Sequence, residues 1–258
     1  MDPYVRRSDE GAVATLTLNR PGSRNALSLA MLRALADALD EVDADRSIHV
    51  VVLEGAGPAF CAGHDLRELR AATGEDPTVA AEIFDTCSSV MLRIGSLRQP
   101  VIASVGGIAT AAGCQLMASC DLAVASRSAR FATPGVDIGL FCSTPMVAVT
   151  RAVAPKHALE LLLTGQAVDA DTAWRMGLVN RVVDDDDLAA ATAELAATVA
   201  AKPPAVVAAG KATYRRQAAM PVAAAYEVAG RAMVEGLAQP DAIEGIDAFL
   251  EKRAPTWR

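Results

Sequence analysis

The chain has 258 residues, of which 52% are hydrophobic, and its formal net charge is −7. A chain of this length can bury a substantial core. Its acidic balance argues against nucleic acid as a partner, because phosphate recognition needs a concentrated basic surface. Glycine, serine or charged residues interrupt every apolar stretch, so we expect no membrane insertion.

The cysteines and histidines do not suggest a metal site. The five cysteines lack paired CxxC spacing, and the three histidines are scattered at His49, His64 and His157. A zinc site would need these side chains at close, regular spacing or brought together by the fold. We therefore expect no bound metal, and we expect reduced cysteines packed in the core.

Neither end of the chain carries a targeting signal that we can identify. The first residues, MDPYVRRSDEGAVATL, contain no continuous apolar segment of the kind found in secretory signals. The last residues, KRAPTWR, contain no prenylation box or peroxisomal tripeptide. We therefore expect a cytoplasmic protein.

The first two thirds of the chain alternate between strand-like and helix-like patterns. Ser28 precedes an apolar stripe of helical spacing and is expected to cap a helix. In chain order the pattern predicts a strand over 12–19, a helix over 29–45, a strand over 50–57, a helix over 78–97, a strand over 101–108, a helix from about Ala112 and a strand over 121–126. This alternation indicates the α/β class.

The carboxyl-terminal third is predicted to be helical. Asp169 begins a capped helix that ends at Gly177, and nearly everything after the acidic run at 184–187 has helical character. Prolines separate its helices at Pro203, Pro204, Pro221 and Pro240. We expect a core over 1–200 and a helical region over 201–258.

One apolar face of this helical region needs a covering partner. It is formed by Ala225, Val228, Ala229, Ala232 and Met233. A second copy of the chain could cover it, or it could pack against the core of its own chain. The pattern alone leaves both possibilities open.

Two turns of small residues follow buried strands and lead into helices. The first lies in PAFCAGHDLREL (58–69), and the second in VGGIATAAGCQL (105–116). At such junctions backbone N–H groups point outward and can bind an anionic oxygen without a side chain. Two such donors meeting at one oxygen would stabilise an enolate or a tetrahedral oxyanion.

These motifs also carry a family resemblance. FCAGHDL, GGIATAAGCQLMASCDLAVAS and FATPGVDIGLF resemble the crotonase (enoyl-CoA hydratase/isomerase) superfamily. Within it, GHDL, IATAAGCQL and FATPGV are similar to the subgroup typified by enoyl-CoA hydratase domain-containing protein 3. Further similar segments are LNRPGSRNALS, LLLTGQAVDADTAWRMGLVNRVV and FLEKRAPTW, so the resemblance extends over nearly the whole chain.

The resemblance implies an architecture and a ligand. The expected fold is a crotonase-like spiral of ββα turns with a carboxyl-terminal helical part that mediates trimerisation, often as a hexamer built from two trimers. The expected ligand is an acyl-CoA thioester. Coenzyme A would be part of that substrate or ligand, so no separate cofactor is expected.

The resemblance also assigns site residues. The thioester oxygen would lie between the backbone N–H groups of His64 and Ala112. Contacts to the rest of the acyl-CoA would come from these positions: Arg24, Asn25, Ala26, Ala62, His64, Asp65, Leu66 and Lys252.

The sequence departs from the superfamily at both acid/base positions. Active hydratases use two glutamates, and here Gln115 and Gly135 stand at their positions. Neither residue exchanges a proton at neutral pH, so we expect hydratase activity to be weak or absent. His64, Asp137 and Ser143 are alternative proton-transfer or nucleophilic groups. Each also has a structural interpretation, as a packed histidine or as a loop cap.

Three functions therefore remain open. The first is an enzyme of fatty acid metabolism that acts on acyl-CoA, as a lyase or isomerase, without the two-glutamate mechanism. The second is a non-catalytic acyl-CoA-binding, carrier or regulatory protein. In the third, the helical carboxyl-terminal part is an interaction surface and the pocket is unused.

Overall fold

The computed structural model describes residues 2–73 and 78–257. Within these ranges ten strands are formed: Val5–Glu10 (β1), Val13–Leu18 (β2), Val50–Gly55 (β3), Ala59–Cys61 (β4), Val101–Val105 (β5), Ile108–Thr110 (β6), Leu122–Ser126 (β7), Arg130–Ala132 (β8), Val168–Asp169 (β9) and Arg181–Val183 (β10). The predicted strands in the first half are present, and the α/β class is confirmed. The strand β1 was not predicted.

The same residues form eleven α-helices: Leu29–Ala44 (α1), Leu66–Ala71 (α2), Thr78–Ser96 (α3), Ala112–Ser119 (α4), Ser143–Ala152 (α5), Pro155–Thr164 (α6), Ala170–Met176 (α7), Leu188–Ala200 (α8), Pro204–Gln217 (α9), Val222–Leu237 (α10) and Pro240–Glu251 (α11). Short 3₁₀ turns occur at Pro21–Ser23, Pro134–Ile138 and Asp185–Asp187. The helices that prolines were expected to separate do begin at or directly after Pro204, Pro221 and Pro240.

Three successive ββα units build two sheets. The six-stranded sheet has the order β1-β2-β3-β5-β7-β10, and the four-stranded sheet has the order β4-β6-β8-β9. The pairs β1/β2 and β8/β9 are antiparallel, and the other pairs are parallel. In each unit the first strand enters the larger sheet and the second strand enters the smaller one, so the chain spirals between them.

The strand expected over 101–108 is two strands. The chain turns between β5 and β6 at Gly107, whose φ is +70°. A Cβ at Gly107 would lie 2.1 Å from the carbonyl oxygen of Pro58. Only glycine fits there, and the turn transfers the chain from the large sheet to the small one.

The large sheet is covered on both faces. Alternate residues of β3 point to opposite sides: Val51 and Leu53 pack with the stripe of α1, whereas Val50 and Val52 pack with α8. Ser28 caps α1 as predicted, accepting a hydrogen bond from the Met31 N–H.

Helix α9 is tied to the core by a buried ion pair. The Lys211 ammonium, 7% exposed, lies 2.6 Å from Asp121 Oδ2 and donates to the carbonyl oxygens of Ile94 and Gln99. Burial lowers the pKa of Lys211, and Asp121 partly offsets this shift. These contacts join residues from 90 to 117 positions apart in the chain.

The last two helices leave large apolar side chains exposed. Of the face predicted on α10, Val228 is buried beside α9, whereas Ala225, Ala229 and Ala232 are partly exposed. Met233, however, is 67% exposed. Other large exposed side chains follow on both helices: Val222, Tyr226, Val234, Leu237, Ile243, Ile246, Phe249 and Leu250. Trimerisation through this region and a boundary between residues 200 and 201 stay predictions. Among the described residues no helix combines the length and apolarity needed to cross a membrane.

Candidate active site

The first predicted turn leaves a backbone donor unpaired. Leu27 forms a parallel bridge with His64, in which the Leu27 N–H donates to Gly63 and the Leu27 carbonyl oxygen accepts from Asp65. The His64 N–H is directed away from this bridge, and within residues 2–73 and 78–257 it donates no backbone hydrogen bond.

The second turn leaves another donor unpaired. Helix α4 begins at Ala112 as predicted, and the first N–H groups of a helix have no partner within the helix. Its N-cap, Ala111, has φ 50° and ψ −119°, a strained conformation for a residue with a Cβ. No sequence pattern predicted this strain.

The two turns touch through their backbones. A Cβ placed on Gly63 would lie 3.3 Å from the backbone nitrogen of Ala112, and one placed on Gly113 would lie 2.1 Å from the carbonyl oxygen of Cys61. Any side chain at either glycine would push the turns apart. Two unpaired N–H groups therefore lie on adjoining turns, an arrangement that can bind an anionic oxygen.

The imidazole of His64 is packed and neutral. Its Nδ1 lies 3.3 Å from the Leu27 carbonyl oxygen, which can only accept, so Nδ1 carries the proton. The ring also makes an edge-to-face contact with Phe84. Burial lowers its pKa. The buried Nε2 has no partner among the described residues.

Gln115 lies one helical turn after Ala112. It is 4% exposed, and its Oε1 has no hydrogen-bond partner in the described part of the chain. The neighbouring Cys114 is buried, and burial raises the pKa of its thiol to about 12. All five cysteines are free and buried.

Gly135 has no space for a side chain. A Cβ there would lie 2.5 Å from the carbonyl oxygen of Leu140 and 2.8 Å from Cys142 Sγ. The Leu140 N–H donates to the Gly135 carbonyl oxygen, and this hydrogen bond holds residues 135–140 in a closed turn. The loop therefore fills the space into which a glutamate would extend.

The other candidate proton-transfer groups lie at the surface. Asp137 is exposed, and its carboxylate faces Gly165 beyond the end of α6. Ser143 is exposed at the start of α5, and its Oγ lies 3.4 Å from the Phe141 carbonyl oxygen. Neither is among the residues that join the two turns.

The predicted acyl-CoA contacts are divided between structural and exposed positions. The Asn25 side chain is fully buried and bonds to the Arg20 N–H and to the carbonyl oxygens of Ala56 and Ala59. It is therefore turned inward and cannot reach a ligand. Arg24 is exposed, and its carbonyl oxygen accepts from the Ala62 N–H.

Of the remaining predicted contacts, one caps a helix and the others are at least partly exposed. Asp65 caps α2 through hydrogen bonds from Arg67 and Glu68. Leu66 is 56% exposed beside the first turn, and Ala26 is partly exposed. Lys252 is exposed at the end of α11. Within the described ranges no cluster of three His, Cys, Asp or Glu side chains could hold a metal ion.

Comparison with known proteins assigns the chain to a family. The family model for enoyl-CoA hydratase/isomerase matches residues 8–258, and the chain belongs to this family. It is similar to the mouse enoyl-CoA hydratase domain-containing protein 3, with 48% identity over 97% of this chain and 83% of the relative. The predicted resemblance to this subgroup is confirmed.

Solved structures confirm the fold. A crystal structure of the human enoyl-CoA hydratase domain-containing protein 3 is 44% identical, covers 98% of this chain and 100% of its own, and superimposes with a TM-score of 0.95. A Mycobacterium smegmatis enoyl-CoA hydratase structure is 50% identical over 99% of each chain, with a TM-score of 0.96.

The cytoplasmic localisation is contradicted. The mouse, rat and human relatives are all named mitochondrial.

We predict that Gly135→Ala destabilises the protein by about 2 kcal/mol, because the added Cβ overlaps the Leu140 carbonyl oxygen and Cys142 Sγ. Urea denaturation measures the change. Gly22→Ala is the matched control, since nothing lies within 4 Å of its Cβ position, and it should alter stability by less than about 0.5 kcal/mol. Equal effects of the two substitutions would show that the loop does not constrain Gly135.

We predict that His64 makes stability fall at acidic pH. Burial holds the folded-state pKa of His64 below its ordinary value of 6.5. The stabilisation that His64 contributes in its neutral form is therefore complete above pH 6.5. It is lost as the pH falls through the folded-state pKa. Between pH 7.5 and 5 the free energy of unfolding of His64→Gln should decrease less than that of the wild type. His157→Gln should keep the wild-type dependence; if His64→Gln does so too, the prediction fails.

Proposed function

We propose that the chain binds an acyl-CoA thioester, whose carbonyl oxygen accepts hydrogen bonds from the N–H groups of His64 and Ala112. The main support is the contact between the two turns, each of which carries an N–H group without a backbone partner among the described residues. The hydratase and isomerase names of the relatives are consistent with this ligand. Coenzyme A belongs to the ligand, and no other cofactor is proposed.

We propose further that hydration of enoyl-CoA is weak or absent. Gln115 cannot exchange protons, and the loop at Leu140 fills the space beside Gly135. The neutral imidazole of His64 is packed against Phe84. Loss of one general acid or base costs on the order of 10²–10⁴ in rate, and here both positions have changed.

The proposed role is an acyl-CoA-binding protein of fatty acid metabolism. The two N–H donors of the proposed oxyanion site are retained, whereas the acid and base groups of the hydratases are replaced. This combination favours a carrier or regulatory function over the two-glutamate reaction. An enzyme that needs only enolate stabilisation is the second candidate. The strained Ala111 supports it, because backbone strain of this kind is concentrated at functional sites.

We also propose assembly into a trimer or a hexamer of two trimers. The exposed apolar side chains of α10 and α11 support a partner of the same chain. In that assembly Lys252, at the exposed end of α11, is the proposed contact to the nucleotide phosphates. Arg24 and Leu66 are the proposed contacts near the thioester.

The oxyanion proposal predicts a specific loss in Ala112→Pro. Proline lacks the N–H donor but is accepted at the first position of a helix. The variant should bind octanoyl-CoA roughly tenfold more weakly, the value of one hydrogen bond. The S-octyl thioether of CoA has no carbonyl oxygen, and its affinity should be the same for wild type and variant. Calorimetry on both ligands tests this; a parallel loss for both would contradict the assignment of the donor.

The absence of the acid/base pair predicts a low hydration rate. Against crotonyl-CoA, kcat should be at least about 10²-fold lower than in a family member that retains both glutamates, assayed in parallel. Gln115→Glu should not restore it, because burial would raise the pKa of that carboxyl and Gly135 still supplies no second carboxylate. A wild-type rate equal to that of the two-glutamate enzyme would overturn the proposal.

A further inference from the structure

The imidazole of His64 presents a buried acceptor that no described residue satisfies. The Leu27 carbonyl oxygen, 3.3 Å from Nδ1, requires the proton on Nδ1. The unprotonated Nε2 on the other side of the ring is then an acceptor, and it has no partner among the described residues. Because buried polar atoms are normally paired, Nε2 needs a donor from outside the described chain.

The ring cannot turn to relieve this unpaired atom. A half-turn would exchange Nδ1 for a carbon and break the hydrogen bond to Leu27. The parallel bridge between Leu27 and His64 fixes the carbonyl oxygen beside the ring, and Phe84 makes an edge-to-face contact with it. Burial also lowers the pKa of His64, which keeps Nε2 unprotonated at neutral pH. The acceptor is therefore held in one position and one protonation state.

This acceptor belongs to a residue that carries one of the two proposed thioester donors. Nε2 therefore lies within one side-chain length of the proposed position of the thioester oxygen. A second acceptor without a partner, Oε1 of Gln115, is 4% exposed and belongs to the helical turn that follows Ala112. A group of the acyl chain that reaches either atom is thus carried close to the thioester.

The chemistry of the two acceptors selects a neutral donor. A carboxylate or phosphate has no hydrogen to donate to Nε2 or to Oε1. An ammonium group would have to leave water for a buried position beside Phe84, which is costly. A hydroxyl group donates one hydrogen bond and carries no charge.

We propose that His64 is a specificity-determining residue whose Nε2 accepts a hydrogen bond from a hydroxyl group on the α- or β-carbon of the acyl chain. The preferred ligand is then a hydroxyacyl thioester. This inference rests on the proposed function, since the thioester must be bound at His64 and Ala112. An unsubstituted chain displaces water from Nε2 without supplying a donor, and the cost of that unpaired acceptor is the source of the preference.

Calorimetry with paired ligands tests this inference. Octanoyl-CoA is compared with both enantiomers of its α-hydroxy and β-hydroxy derivatives. At least one hydroxylated ligand should bind roughly tenfold more tightly than octanoyl-CoA, the value of one hydrogen bond to a group that is otherwise unpaired. His64→Phe keeps a ring without the acceptor and should reduce this ratio of Kd values to within about twofold. His64→Gln should keep most of the ratio, because its amide oxygen can replace Nε2 as the acceptor.

The matched control is Gln115→Met, which removes the other acceptor at a similar side-chain volume and should keep the full ratio. Each ratio is taken within one protein, so a uniform change in affinity for CoA cancels. His64→Leu takes the place of His64→Phe if that variant does not fold.

Three results would contradict the proposals. Loss of the preference in Gln115→Met would overturn the assignment to His64. Equal Kd values of the wild type for all ligands would show that water or an N–H group of CoA satisfies Nε2, and would overturn this inference alone. Failure of every acyl-CoA to bind would overturn the proposed function itself.

Discussion

The site depends on one backbone contact, the packing of the first turn of α4 against the turn that ends β4. Gly113 lies so close to the Cys61 carbonyl oxygen that a Cβ would approach it to 2.1 Å. The pairing of Cys61 with Ala109 in the small sheet fixes the same two segments from the strand side. Because both contacts are made by backbone atoms, the distance between the two N–H donors is set by the fold and is independent of side-chain conformation.

The two departures from the hydratase pattern differ in their physical consequences. Gln115 preserves the volume of a glutamate and removes only its ability to exchange a proton. Gly135 removes the space as well, because Leu140 and Cys142 have closed over it. A return to a two-carboxylate site would therefore require the segment from Gly135 to Cys142 to take another conformation. The proposed loss of hydration is therefore a property of the loop and not of two side chains alone.

The sequence predicted most features that local signals determine. Ser28 is a cap because a short polar side chain precedes a helical stripe. Conversely, β1 was missed, since its pairing with β2 gives it no buried alternating face. The inward side chain of Asn25 and the ion pair that joins Lys211 to Asp121 depend on contacts between distant segments. The family resemblance supplied the fold and the site positions, but not which side chains face the ligand.

Several buried polar groups beside the two turns have no hydrogen-bond partner among the described residues. Five buried side-chain atoms of the described residues lack partners, and three of them, in His64, Gln115 and Thr133, adjoin the two turns. Thr133 belongs there because the preceding carbonyl, that of Ala132, accepts from the Ala111 N–H. Buried polar groups are normally paired, so a ligand or water must satisfy these. The two N–H donors complement a carbonyl oxygen such as that of a thioester, whereas the acceptors His64 Nε2 and Gln115 Oε1 need a donor, which water or a hydroxyl group of a ligand supplies.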